Sequence, residues 1–253
     1  MILLSNTQNR QITNNHQCLG VVLAGGLSSR MGIDKASLIR NETNMLNYSK
    51  QLLTGIGLKN IVISGKTPHA SAQDIVVPDQ FKAMGPMGGI ASVIEQYQPA
   101  ALFVLPVDLP LITTTILQKL KQVGELSQQA CFYNNNFLPL YLPVNAFTET
   151  FFKQAFIEQS NIDKNCAEPA NKNIRYTSSN IKAKNGPSIR ALLSQIPHKT
   201  LNINNPSCLL NTNTPEDWAI AQHSFSLLNS AKKAPLATNH SKKHLLNSKE
   251  NYV

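Results

Sequence analysis

Two adjacent glycines directly after a short apolar run, Leu19-Gly20-Val21-Val22-Leu23-Ala24-Gly25-Gly26, constrain this chain more than any other feature. The β-branched run reads as a buried strand. Where it stops, a Gly pair lets backbone N–H groups approach a ligand that any Cβ would repel. The sequence continues Leu27-Ser28-Ser29-Arg30-Met31-Gly32-Ile33-Asp34-Lys35, so Arg30 and Lys35 place positive charge where a triphosphate would lie. GxxxxGK[ST] and GxGxxG are both absent, which excludes a P-loop and a dinucleotide fingerprint. A plain Gly-Gly turn with surface cations is the alternative, and the ordered series strand, Gly-Gly, Ser, Arg-Met-Gly, Asp-Lys argues against it.

Strand-like and helical spacings then alternate along the chain. Met45, Leu46, Leu52, Leu53 and Ile56 recur at helical intervals, and Ile61 to Ile63 and Ile75 to Val77 read as strands ending at Ser64-Gly65 and Pro78-Asp79. Gly85 to Gly89 is a second Gly-rich turn, feeding a helix from Ile90 to Tyr97. Ala101 to Leu105 is the most continuous apolar strand, and Thr113 caps a helix reaching Val123. This alternation predicts an α/β class: three layers, α/β/α, around a mostly parallel sheet. Ligands of such sheets sit beyond the carboxyl ends of the strands, where the polar clusters of this chain fall.

Past Ala130 the pattern loosens. Phe137 to Val144 reads as an edge strand, because its two prolines exclude a central one. Asn145 to Glu158 reads as a helix with Phe147, Phe151, Phe152, Ala155 and Phe156 on its apolar side. Gln159 to Gly186 reads as a long polar loop over the active-site face, and Ser188 to Ile196 as a helix. A last helix opens at Thr214-Pro215-Glu216-Asp217, with Thr214 as cap, Pro215 at the first helical position, and Trp218 and Ile220 turned inward.

Apolar residues make up 42% of the 253 residues and charged residues 15%, enough apolar mass for one domain with a sizeable core. Residues 1–17 read as a disordered arm, 18–223 as the folded domain, and 224–253 as a basic disordered tail. The formal charge is +9, but five tail lysines against Glu250 carry four of those charges. The remainder suits a protein that handles anionic small molecules and is no nucleic-acid footprint. Cys18, Cys131, Cys166 and Cys208 form no CxxC pair, which favours a reducing compartment. The apolar start turns polar by Ser5, short of the roughly 7–15 residues of a secretory core or the roughly 20 of a spanning helix. The chain is therefore expected to be cytoplasmic, without membrane or nucleic-acid partners.

Asp108, in Leu105-Pro106-Val107-Asp108-Leu109-Pro110, follows the strongest strand and is placed to hold Mg²⁺. Magnesium takes few carboxylates and completes its shell with water and phosphate oxygens. A turn-forming, helix-capping Asp is the alternative.

Taken together, LAGGLSSRMGIDK resembles the signature of the molybdenum cofactor guanylyltransferase family, nucleotidyltransferases of the nucleotide-diphospho-sugar transferase-like, Rossmann-like α/β type. Gly25-Gly26, where cytidylyltransferase relatives usually show Ala-Gly, and the Asp34-Lys35 ending favour the guanylyl branch. The likeness runs in order from about Leu19 to Trp218. It implies GTP binding by Leu23, Ala24, Gly25, Gly26, Lys35, Asp79 and Asp108. Arg30, Lys35 and Asp108 would be the catalytic group, with Mg²⁺ on Asp108. Asp79 would read either the base or the ribose. Guanine's adjacent N1–H and N2–H₂ donors suit a carboxylate.

On the acceptor side, Arg190, Asn211 and Asn213 fall in segments that resemble those facing the pterin of molybdopterin. A solvated Arg190 and a merely capping Asn213-Thr214 stand as alternatives. The expected partners are GTP, molybdopterin and molybdenum cofactor biosynthesis proteins, and the expected oligomeric state is a monomer. The chain departs from the family pattern at Val107, where many members have Cys, and at Ser64, where some have Asn. Met87 replaces Leu in the second Gly-rich turn, and Phe137 replaces a proline. Two other functions remain open: cytidylyl or sugar-phosphate nucleotidyl transfer on the same fold, and a noncatalytic nucleotide-sensing module.

Overall fold

The computed structural model describes residues 17–24, 32–81, 84–155 and 186–233. The expected arm before Gln17, the polar loop before Gly186 and the tail beyond Lys233 lie outside these residues. Strand β1 (Cys18–Leu23) is flanked on both sides by parallel partners, β4 (Ile61–Ser64) and β6 (Ala101–Pro106). β5 (Ile75–Val77) adds parallel to β4. Between β1 and β4 the chain makes a small antiparallel hairpin, β2 (Ile39–Arg40) with β3 (Thr43–Asn44), and then helix α1 (Met45–Gly55). Helix α2 (Pro86–Tyr97) carries the chain from β5 back across to β6. Helix α3 (Thr114–Ser127) leads to β7 (Ala130–Tyr133), which turns tightly into β8 (Asn136–Pro143). A helix over 146–155, α4, follows; then α5 (Ile189–Leu193), β9 (His198–Leu201) and α6 (Pro215–Lys233). The sheet order is β5-β4-β1-β6-β8-β7-β9, and only the two ladders of β8 are antiparallel.

Alternation along the strands sorts the core into two layers, because successive side chains point to opposite faces. Val22, Phe103 and Leu105 meet Leu46 and Leu53 of α1 and Leu117 and Leu120 of α3. Val21, Leu23, Leu102 and Val104 meet Met87 and Ile90 of α2, Phe151 and Phe152 of α4, and Leu192 of α5. The three-layer arrangement follows directly. Fully burying each such aliphatic or aromatic side chain stabilises the fold by about 1.5–3 kcal/mol. A third, smaller cluster docks α6 through Trp218, Ala221 and Phe225 onto Met45.

Several sequence expectations need correction. Phe137 to Val144 is not an edge: β8 lies between β6 and β7. Its prolines are tolerated because Pro139 falls in the stretch where the β7 register shifts, and Pro143 lies beyond the residues paired with β7. The second Gly-rich segment is no separate turn. Gly85, at φ 55°, is the N-cap of α2, and Pro86 already occupies its first position. Thr113 stands at the N-cap of α3 but makes no side-chain cap bond. Phe147 and Ile220 are exposed rather than inward. Helix α6 runs past Ser224 to Lys233, with Phe225 buried against Trp218 at 6.0 Å between ring centroids.

Packing of α3 on β8 is close enough to be tested. A Cβ on Gly124 would meet Cγ and Cδ1 of buried Tyr141 far inside van der Waals contact. Gly124→Ala gains about 1 kcal/mol of helix propensity but overpacks the layer, a cost of about 1–3 kcal/mol. The expected result is a net loss of about 0–2 kcal/mol in urea unfolding. A variant more stable than the parent would show that the α3–β8 contact yields freely.

Candidate functional site

The ends of β1 and β6 emerge side by side, since Leu23 pairs with Pro106 and the N–H of Val107 donates to the carbonyl of Leu23 at 3.3 Å. Because β8 runs the other way, its first residues enter at the same edge of the sheet. A cleft of about 740 Å³ opens there. Its floor is Leu23, Ala24 and Pro106 to Asp108; its far wall is Asn135 to Leu138 at the β7–β8 turn. Pro86 and Met87, in the first turn of α2, bring the positive end of a helix to its rim.

Lys35 and Asp108 meet in this cleft at 3.3 Å between Nζ and Oδ2, with side chains 15% and 21% exposed. Separate local structures bring each of them there. Lys35 opens a single 3₁₀ turn, Lys35–Ser37, whose N-cap Asp34 accepts from the N–H of Ala36 at 3.0 Å, while Ala36 is fully buried. The hairpin that follows, and helix α1 behind it, are tied to the loop after β6. Arg40 Nε donates to the carbonyl of Pro110 at 2.6 Å, and the Tyr48 hydroxyl donates to that of Ile112 at 2.5 Å. His69 Nε2 stands 3.6 Å from Asp34 Oδ2.

Asp108 is held from the other side of the chain. The backbone N–H and the hydroxyl of buried Thr212 both donate to its carbonyl, at 3.0 and 3.3 Å. That places Asn213 over Lys35, whose Nζ donates to Asn213 Oδ1 at 2.6 Å. Asp217 accepts from the N–H groups of both Asn213 and Thr214 at 2.9 Å, and its own N–H donates to Thr214 Oγ1 at 3.2 Å. The N–H donors of Asn213 and then Thr214 hold the Asp217 carboxyl below the usual carboxylate range. Among the described residues, one buried side-chain polar atom is left over. Asp108 Oδ1 is buried without a hydrogen-bond partner, a state that costs about 1–3 kcal/mol unless a ligand meets it.

Of the residues singled out from sequence, Leu23, Ala24, Lys35, Asp108, Arg190, Asn211 and Asn213 all line the one cleft. Gly25, Gly26 and Arg30 lie outside the described residues. Asp79 does not line the cleft. It sits past β5, its Oδ1 accepting from the N–H of Phe81 at 2.9 Å, against Gly88 in the first turn of α2. Ser64 is buried, its carbonyl accepting from the N–H of Ala24 at 3.1 Å and its hydroxyl filling the space above Gly89. Sequence reasoning missed the wall formed by Asn135 and Asn136. Its signal was present: three asparagines between two apolar runs mark a tight turn, and Asn135 takes φ 64°.

A family model described as the MobA-like NTP transferase domain matches residues 20–153. A curated molybdenum cofactor guanylyltransferase from Xanthomonas euvesicatoria pv. vesicatoria is 41% identical over 129 residues, 50% of this chain and 65% of that protein. The match therefore spans just under two thirds of that relative's own length. A molybdenum cofactor guanylyltransferase from Campylobacter jejuni subsp. doylei is 26% identical over 200 residues, 78% of this chain and 92% of the relative. Among solved structures, the molybdopterin-guanine dinucleotide biosynthesis protein A of Archaeoglobus fulgidus superposes with a TM-score of 0.57 at 16% identity, covering 83% of this chain and 99% of the other. At that identity the superposition establishes the shared α/β fold.

The unpartnered oxygen makes a distinction possible between a carboxylate kept for the fold and one kept for a ligand. Asp108→Ala removes an unsatisfied buried atom and an ion pair that is partly open to solvent. These effects oppose each other, so the stability of the ligand-free protein should change by no more than about 1 kcal/mol. A loss above about 3 kcal/mol in chemical denaturation would mean that the carboxylate serves the fold.

Proposed function

The chain belongs to the MobA-like NTP transferase domain family, and from that premise we propose that it transfers GMP from GTP to the terminal phosphate of molybdopterin. Pyrophosphate is released and the guanine dinucleotide form of the molybdenum cofactor results. The observation that carries this reading is the meeting of Lys35 with Asp108 at the end of β1, with one Asp108 oxygen unpartnered. The names of the curated relatives support the guanylyl branch.

A phosphate oxygen of the acceptor attacks the α-phosphorus of GTP. A new P–O bond forms there, and the bond to the bridging oxygen of the β-phosphate breaks, its electron pair leaving with pyrophosphate. The attacking phosphate is already an anion, so no general base is required. Positioning and neutralisation of charge remain for the protein to supply. Leu23, Ala24, Gly25 and Gly26 offer backbone to the nucleotide, Arg30 and Lys35 offer positive charge, and Asp79 holds the base or the ribose. Arg190, Asn211 and Asn213, which line the same cleft, receive the acceptor.

The donor set fits a divalent cation. Among the described residues no three His, Cys, Asp or Glu side chains gather as a metal cage. Mg²⁺ is normally shared between one or two carboxylates, water and substrate phosphates, and the free Oδ1 of Asp108 is such a ligand. When bound, the ion would supply charge neutralisation at the phosphates. The reading extends to a cytoplasmic monomer that contacts molybdenum cofactor biosynthesis proteins. No helix among the described residues is long and apolar enough to cross a membrane, and Cys18, Cys131 and Cys208 are free thiols.

Pyrophosphate release, measured with each nucleoside triphosphate with and without molybdopterin, tests the proposal. Release is expected with GTP and only in the presence of molybdopterin. Asp108→Ala and Lys35→Ala should each lower it by about 100-fold or more while the circular dichroism spectrum is retained. Preference for CTP or UTP would reassign the chain to cytidylyl or sugar-phosphate transfer. GTP binding with no release under any condition would leave only a sensing role.

A further inference from the structure

Lys35 carries its charge on a flexible four-carbon stem, and a single ion pair with Asp108 leaves the ammonium free to swing about that contact. Its second partner removes this freedom. Asn213 Oδ1 lies 2.6 Å from Lys35 Nζ, across 178 residues of sequence. The orientation of the amide is not ambiguous, because an ammonium donates only and must face the carbonyl oxygen. Being neutral, Asn213 directs the charge without cancelling it, whereas a second carboxylate would oppose any phosphate approaching Lys35.

Asn213 is in turn held by its backbone. Its N–H is fixed by Asp217, and its neighbour Thr212 is fixed to the carbonyl of Asp108. The side-chain oxygen therefore has a set position over the end of β6 before any substrate arrives. Its carbonyl is used on Lys35, which leaves the amide N–H₂ for other ligands in the cleft.

We propose that Asn213 is a positioning residue for Lys35, clamping the ammonium at the seam between the nucleotide and acceptor halves of the cleft in the ligand-free protein. Asn213 thus acts on the GTP side and is more than an acceptor contact. This consequence for nucleotide binding rests on the function proposed above; the clamp itself does not.

Two measurements on the full chain test it. In the first, the ligand-free protein is briefly acetylated with acetic anhydride. Labelling of Lys35 is read by peptide mass spectrometry against Lys153, whose side chain is 74% exposed. Asn213→Ala should raise relative labelling of Lys35 about threefold or more. The cap of α6 uses the backbone of residue 213 and survives the substitution.

In the second, GTP affinity is measured by calorimetry without acceptor. Asn213→Ala should weaken it about fivefold in the parent and leave it unchanged in a Lys35→Met background, the non-additivity expected when one residue works through another. Unchanged labelling of Lys35 overturns the clamp. An equal loss of GTP affinity in both backgrounds overturns the positioning role, since a general structural defect would persist without the lysine. A parent protein with no affinity for GTP refutes the proposed function instead, and the labelling result then decides the clamp alone.

Discussion

Six consecutive pairs, from Cys18 with Ala101 to Leu23 with Pro106, join β1 to β6 in parallel register. The chain reaches this pairing by travelling outward from β1 through β4 to β5, then crossing back over β1 along α2 to lay down β6. Connections leave β1 and β6 in opposite directions, so the sheet carries a crevice between them at the carboxyl ends. Everything chemical in the cleft depends on that register. A shift of one residue would turn Val21 and Leu102 to the wrong layers and carry Asp108 away from Leu23.

The hairpin and the last helix can be understood as two arms that close on this crevice. The β2–β3 hairpin and helix α1 behind it are tied to the loop after β6 by Arg40 and Tyr48 respectively, and the turn before the hairpin brings Lys35 from the β1 side. The segment before α6 is tied to Asp108 by Thr212, and it brings Asn213 from the far end of the chain. Lys35 lies where the arms meet, and α6 packs onto Met45 of α1 through Trp218, Ala221 and Phe225, so the second arm is anchored beside the first. Hydrophobic burial supplies the anchoring, and short polar contacts set the final geometry. Among the described residues, Asp108 Oδ1 is the buried side-chain oxygen that these contacts leave without a partner.

Much of the parallel half was legible because the relevant forces are local. Continuous β-branched runs mark strands buried on both faces, and Leu46, Leu52 and Leu53 mark a helix with one apolar side. Beyond Ala130 the reading faltered where context overrides local preference. Two prolines argued for an edge, yet β8 is interior: Pro139 falls where the β7 register shifts, and Pro143 pairs with Ala101 of β6 but lies beyond the residues paired with β7. Phe147 and Ile220 have the right spacing to face inward but are exposed. Spacing gives only the period of a helix, and the neighbour against which it docks selects the side. The end of order set at Ser224 was too early, because Phe225 finds Trp218 and Arg40 to pack on, contacts invisible in a polar stretch of chain.

The Gly-rich loop with its Asp34-Lys35 ending, the strand-terminal Asp108 and the family resemblance were determined by sequence alone. Each depends on residues within a few positions of one another, so backbone freedom, charge and strand ends can be read without knowing the fold. Tertiary structure alone decided that Asn213 joins Lys35, that Asp79 stands against α2 outside the described cleft, and that the β7–β8 turn forms its far wall. These are contacts between segments far apart in the chain. Their partners are chosen by sheet order and helix docking, and no spacing along the chain records that choice.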